Sequence, residues 1–269
     1  MASTLTAHDQ SILEKIQDPE AASAAPLMVD PELPRDPHLS DPALYQTVTQ
    51  KEREIITSIQ TVELQLAGLN SALPESPLSQ YLGCVKSLDS LVEDYPNYAS
   101  ARNNRAQALR RIYGDGVLVQ SSSKAKGPED SQVLETEASD TTLLSISSTI
   151  LNDLTTAIVL LTPINPFSPL SPQAAKTLSQ SYTQRGAIYH ATAKRLSSVG
   201  VKLRIDSSRK EASWNHLDFE ENASMDFMLG GRYGNEIAKA LAVSTNPTAK
   251  LCGEMVKEAM RKEYAGGIV

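Results

Sequence analysis

Ala99-Ser100-Ala101-Arg102-Asn103-Asn104-Arg105-Ala106-Gln107-Ala108-Leu109-Arg110 follows the break at Pro96-Asn97 and reads as a helix with small residues where a second helix must approach closely. A matching helix recurs downstream as Tyr182-Thr183-Gln184-Arg185-Gly186-Ala187-Ile188-Tyr189, with Arg-Gly in place of Arg-Ala and two tyrosines as aromatic knobs. Two such helices in one chain point to repeated helical hairpins brought together at Ala106 and Gly186, a binding scaffold with no reactive centre.

Working outward, the apolar period locates the other helices. Ile55, Ile56, Ile59, Val62, Leu66 and Leu69 recur at three- and four-residue spacings and predict a helix over 44–69. Pro74 and Pro77 stop it, and its partner runs over 78–95 with Leu88, Leu91 and Val92 on one face. The helix begun near Tyr98 ends at Tyr113-Gly114-Asp115-Gly116. Its partner is delayed until Leu143, beyond a Ser-, Gly-, Lys- and Glu-rich insertion over 115–139 that is expected to be a disordered surface loop. The third hairpin starts near Pro172, reaches Leu196, crosses a polar insertion over 197–211 and returns over 212–228. Residues 233–243 and 247–264 read as closing helices, the second begun by the cap pair Asn246-Pro247.

The organisation expected is a short helix over 8–17 and a Pro-rich linker within 1–43, followed by a solenoid over 44–269. Its hairpins fall at about 44–96, 97–162 and 172–229, and its capping helices at 233–264. Insertions hide the period, because Ala106 and Gly186 lie further apart than a repeat of roughly 34 residues allows. Aromatic residues make up only 5% of the 269, which suits all-α packing through aliphatic and small side chains.

Charge narrows the partners. A net charge of −7 and a pI near 5.2 argue against a phosphate-binding surface, so nucleic acid is not expected. No unbroken apolar run approaches the roughly 18–20 residues of a membrane span, and 1–20 holds no apolar secretory core, so no membrane contact and a cytoplasmic setting, open to nuclear entry by diffusion, are expected. Cys84 and Cys252 both lie in apolar helical patterns and are expected to be buried free thiols.

The segments ASARNNRAQALR from Ala99, QRGAIYH from Gln184 and NPTAKLCGEM from Asn246 together resemble the tetratricopeptide repeat protein 36 family, with Asp9-Gln10, Ile12-Leu13, Ile16 and Asp18-Pro19 as a weaker fourth match. The resemblance implies three repeats in a right-handed helical solenoid, no catalytic residues and a protein-binding adaptor. Through the family it also implies partners such as a heat-shock chaperone or a catabolic enzyme of tyrosine metabolism. The long insertions depart from the family and leave the partner open.

In such solenoids the first helices of successive pairs line the concave face. That projects Asn103, Gln107 and Arg110 from the second repeat and Gln180, Thr183 and His190 from the third as the protein-binding set. Asn and Gln can bond a peptide backbone, and Arg can grip a carboxylate with two bonds. A lysine and asparagine clamp on an acidic tail is disfavoured, because Ile55 and Ile59 take inner positions on the first helix. Those apolar positions suit an amphipathic helix, and the helix over 8–17 is a candidate to cover them, as a regulatory plug or as a passive lid.

Chemistry is not expected. Gly230-Gly231-Arg232-Tyr233-Gly234 has neither a preceding strand nor a following Lys-Ser or Lys-Thr and reads as a turn between helices. His216, Asp218 and Glu220 alternate within a helical stretch and point to different faces, so no metal is expected, and no cofactor motif occurs. A helical enzyme using His216, Glu220 or Cys252 would require a deep polar pocket. A structural subunit would instead need an apolar patch at a terminal helix, whereas Lys257, Glu258, Arg261 and Lys262 read as a capping surface.

Overall fold

The computed structural model describes residues 29–71, 74–120, 133–165, 168–198 and 200–266. The helix expected over 8–17 lies outside them.

Three of the hairpin helices begin with one device, a polar cap followed by proline. Asp41 precedes α1 (Pro42–Leu66), Ser76 precedes α2 (Pro77–Asp94) and Ser171 precedes α5 (Pro172–Leu196). Each cap side chain accepts a backbone N–H of the first turn, and the proline supplies a helical φ where its missing N–H costs nothing. α3 (Ala99–Tyr113) has no side-chain cap of its own. Asp36, buried in the extended segment before α1, provides one from a distance by accepting the Ala99 N–H as well as that of His38. Two further bonds, Asp30 N–H to Leu170 O at 2.9 Å and Ser171 Oγ to Arg35 O at 3.1 Å, strap that segment across the start of α5.

The chain is all-α. α1–α2, α3–α4 (Asp140–Leu161) and α5–α6 (His216–Arg232) form three successive hairpins, α7 (Glu236–Thr245) packs on α6, and α8 (Pro247–Gly266) follows. This is a helical-hairpin solenoid closed by terminal helices. Its main core runs through Leu88, Ile112, Ile150, Leu151, Leu154, Ile188, Phe219 and Phe227.

Close approach occurs where the small residues lie. Ala106 is fully buried, and a Cβ on Gly186 would sit 3.1 Å from the Phe227 ring and 3.2 Å from the Ala223 carbonyl of α6. Gly231, inside the last turn of α6, would meet the Lys239 backbone at 2.8 Å, so the glycine run lets α7 close onto α6. An arginine precedes each of the first two small residues, and each reaches an aspartate on the second helix of its own hairpin. Arg105 Nε meets Asp153 Oδ2 at 2.6 Å, and Arg185 Nε meets Asp226 Oδ2 at 2.7 Å.

The two insertions are ordered where they are described, in contrast to the surface loop expected for 115–139. Val117, Leu118 and Val119 are buried, and β1 (Val119–Gln120) pairs antiparallel with β2 (Lys202–Leu203), so each insertion anchors the other. A 3-10 turn at Lys210–Ser213 then delays α6 to His216. There Trp214 packs edge-on against Tyr189 and Phe219, with ring centroids 5.3 and 5.1 Å away.

One further expectation is corrected. Cys252 is exposed, because none of the described residues covers the apolar side of α8. α4, at 22 residues and with a stretch of mean hydropathy 1.5, is by length and composition apolar enough to cross a bilayer, although no unbroken apolar run suggests it. Here α4 is a core helix: Ile150, Leu151 and Leu154 are buried between α3 and α5, and Asp153 is ion-paired inside.

Candidate protein-binding groove

The first helices of the hairpins, α1, α3 and α5, are tied side by side by polar bonds. Asn104 Nδ2 donates to Glu52 Oε1 at 2.7 Å and Arg111 Nε to Glu63 Oε1 at 2.7 Å, joining α3 to α1. Gln184 Nε2 donates to Asn103 Oδ1 at 2.9 Å and Ser181 Oγ to the same oxygen at 3.0 Å, joining α5 to α3.

Between α1 and α3 a groove of about 980 Å³ remains open. Ile56, Ile59, Leu64 and Ala108 supply its apolar lining, and Gln60, Gln107 and Asn104 supply amides able to donate and accept. No lysine lines it, and both arginines are engaged: Arg111 with Glu63, and Arg110 with Asp115 through two bonds of 2.7 and 2.9 Å.

This geometry divides the residues read from sequence. Gln107 lines the groove and is exposed, and Gln180 is exposed on α5. Arg110 lines the groove, but its guanidinium is held by Asp115 and by Gln184 Oε1 at 3.0 Å, so it does not wait for a partner's carboxylate. Asn103 is 1% exposed and works between α3 and α5, not on a free surface. Thr183 and His190 turn towards the other side of α5: Thr183 Oγ1 accepts Asn235 Nδ2 at 3.1 Å, and the His190 ring meets Phe227 edge-on. They fall on that side because the wide buried arc of α5 serves both α4 and α6.

Of the two isoleucines assigned inward, Ile59 lines this groove, whereas Ile55 lines a separate hollow between α1 and α2 beside Cys84 and Leu91. Gln60, Glu63, Asn104 and Arg111 are not assigned to the groove from sequence, and Ile56 enters there only through the apolar period of its helix. The available signal is position on the same two helices: Ile56 and Glu63 lie one helical turn from Ile59, Gln60 one turn from Ile56, and Asn104 and Arg111 one turn from Gln107.

Glu63 is the electrostatic hinge of the groove wall. Burial works to raise its carboxyl, but hydrogen bonds from Arg111 and Tyr81 and the guanidinium charge outweigh that and hold it below the ordinary carboxylate value. The Tyr81 hydroxyl is pushed up in turn, by burial first and by Glu63 second. A carboxylate depressed in the fold adds stability above its unfolded value and loses it as the pH falls through the folded one. Glu63→Gln should therefore be destabilising at pH 7, with the difference from wild type closing on acidification below about pH 4. Urea midpoints of the two proteins at both pH values check this, and a pH-independent difference would show that the bond, not the charge, matters. Among the described residues no group of three His, Cys, Asp or Glu lies together as a metal site would require.

A sequence relative covers almost the whole chain: the L-tyrosine degradation gene cluster protein hmgX of Aspergillus fumigatus is 32% identical over 268 residues, spanning 98% of this chain and 95% of its own. The chain belongs to the hmgX family. This hmgX-family chain is also similar to tetratricopeptide repeat protein 36 of Danio rerio, 25% identical over 259 residues, 96% of this chain and 94% of that protein. No protein-family profile and no solved structure matches the chain. Both matches span more than nine-tenths of this chain, so the α1–α3 groove lies within the shared length.

Proposed function

We propose that this hmgX-family chain is a non-catalytic, cytosolic adaptor that seats an apolar-faced segment of a partner protein between α1 and α3. The partner we assign is an enzyme of tyrosine breakdown, held or stabilised by the complex. The groove carries the first half of this reading: an apolar lining of Ile56, Ile59 and Ala108 bordered by Gln60 and Gln107 suits a helix or extended segment with alternating apolar and polar positions. The name of the Aspergillus relative supports the second half. A chaperone's acidic tail fits less well, since no lysine lines the groove and Arg110 and Arg111 are already paired.

Binding of purified tyrosine-catabolic enzymes to the full chain, measured by calorimetry, tests the reading. Wild type should bind one of them, and Ile59→Glu combined with Gln107→Ala should weaken that by roughly 10- to 100-fold, the range of about 1.4–2.8 kcal/mol expected at an anchoring position. Equal affinity in the variant would remove the groove from the interface. Turnover by the chain alone would remove the non-catalytic assignment.

A further inference from the structure

α8 presents an apolar face that nothing in the described chain covers. Leu251, Met255, Val256 and Met260 are 58, 64, 58 and 48% exposed, with exposed Cys252 among them. Their four-residue spacings gather them on one side of the helix, and Lys250, Glu254, Lys257, Glu258 and Arg261 take the other. The charged side is the one turned to the body, where Lys250 Nζ reaches Glu220 Oε1 of α6 at 2.7 Å.

A second unpartnered strip lies on α6. Leu217, Met225 and Met228 are each about half exposed and run along one side of that helix, while α7 occupies the side marked by Gly230 and Gly231. In a continuing stack of hairpins the helix after α7 would lie against this strip of α6. α8 has the required length and amphipathic pattern, but the connection forbids it. α7 ends at Thr245 and α8 starts at Pro247, leaving Asn246 alone, extended at φ −67° and ψ 118°, with its side chain already capping α8. An antiparallel helix pair needs a loop of about two to five residues, so α8 cannot fold back onto its own α6.

The same face can reach a second copy. We propose that two copies form a closed two-fold dimer by exchanging α8, its apolar face resting on the Leu217, Met225 and Met228 strip of the other copy's α6. Charge agrees with this pairing: Glu221 stands one turn from Leu217 and Met225 on the strip of α6, and Lys262, two turns from Met255, flanks the apolar side of α8. A short hinge that blocks closure within one chain is the usual setting for such an exchange, and reciprocity closes the assembly without an open filament. Methionines on both faces adapt to the contact.

Analytical ultracentrifugation of the full chain decides it. Wild type should sediment at twice the 29.1 kDa of one chain. Met255→Glu on α8 and Met228→Glu on α6, both at exposed positions that leave the helical circular dichroism intact, should each give a monomer. Inserting a short Gly-Ser loop between Asn246 and Pro247 should also give a monomer, because α8 can then close onto its own α6. A wild-type monomer at every concentration overturns the proposal, as does a dimer that survives Met255→Glu. Loss of the dimer with Met255→Glu but not with Met228→Glu overturns the α6 contact, and a monomer that floats with anionic vesicles through α8 overturns it in favour of a lipid surface.

Discussion

Asp153→Ala should cost the fold about 3–5 kcal/mol, the range for removing one partner of a buried ion pair. Asp153 is fully buried on α4 and serves two guanidiniums at once: Arg102 Nη1 at 3.0 Å, and Arg105 through Nε at 2.6 Å and Nη2 at 2.7 Å. Removing it strands both guanidinium charges in the α3–α4 interface, where each side chain is 13% exposed: Arg105 keeps a carboxylate, Asp89 at 2.8 Å, whereas Arg102 keeps the neutral Pro96 carbonyl at 2.8 Å. Against a total stability of about 5–15 kcal/mol this is a large fraction. Urea unfolding followed by the fluorescence of Trp214, the only tryptophan, reads the loss. The companion variant Asp153→Leu with Arg102→Met and Arg105→Met separates causes, since replacing the whole group by apolar side chains should recover most of the stability. A loss equal to that of Asp153→Ala would mean that the ions themselves, not the stranded charge, hold the hairpin.

The sequence exposes the arginines of this device more readily than the aspartates. Arg105-Ala106 and Arg185-Gly186 stand out as a repeated pair, because a small residue at a helix crossing leaves a periodic mark. Asp153 and Asp226 leave none: each is one acidic residue on the second helix of its pair, met 48 and 41 residues later. The distance varies with the intervening insertion, so spacing cannot identify the partner. Proline is ambiguous in a similar way. Pro42 and Pro77 read equally as helix stops and helix starts, and only the preceding Asp41 and Ser76, accepting first-turn N–H groups, decide for starts.

The groove is legible only as a pair of helix faces. Helical period says which residues share a side of α3, but the buried arc of a central helix is wide, and polar side chains within it look no different from exposed ones. Asn103 and Gln107 lie one turn apart, yet Asn103 is consumed by Gln184 and Ser181 whereas Gln107 faces the open groove. The difference arises from where α5 crosses α3. That contact is set by two insertions whose order comes from a strand pair of two residues on each side and from Arg204, whose backbone N–H bonds Leu118 O at 2.7 Å while its side chain pairs with Asp140. Such short, distant pairings leave no periodic trace.

Phe219→Ala should match the first loss, at about 3–5 kcal/mol, and act at the other end of the solenoid. Phe219 is fully buried at the start of α6, with ring centroids 5.7 Å from Tyr189 of α5 and 5.1 Å from Trp214. The three rings meet edge to face, an arrangement worth about 0.5–1.5 kcal/mol per pair beyond the area buried. Tyr189 also donates to buried Glu211 at 2.8 Å, so the cluster fixes the 3-10 turn that delivers the chain into α6. Truncating the ring leaves a cavity between elements that cannot collapse, because Gly186 already holds α5 against α6 at van der Waals distance. The emission of Trp214 should shift to longer wavelength as its neighbour disappears and water enters. The α1–α3 groove shares no contact with this cluster, so partner affinity per folded molecule should stay at the wild-type value. Reduced affinity in fully folded Phe219→Ala protein would show that the third hairpin, and not the first two alone, shapes the binding surface.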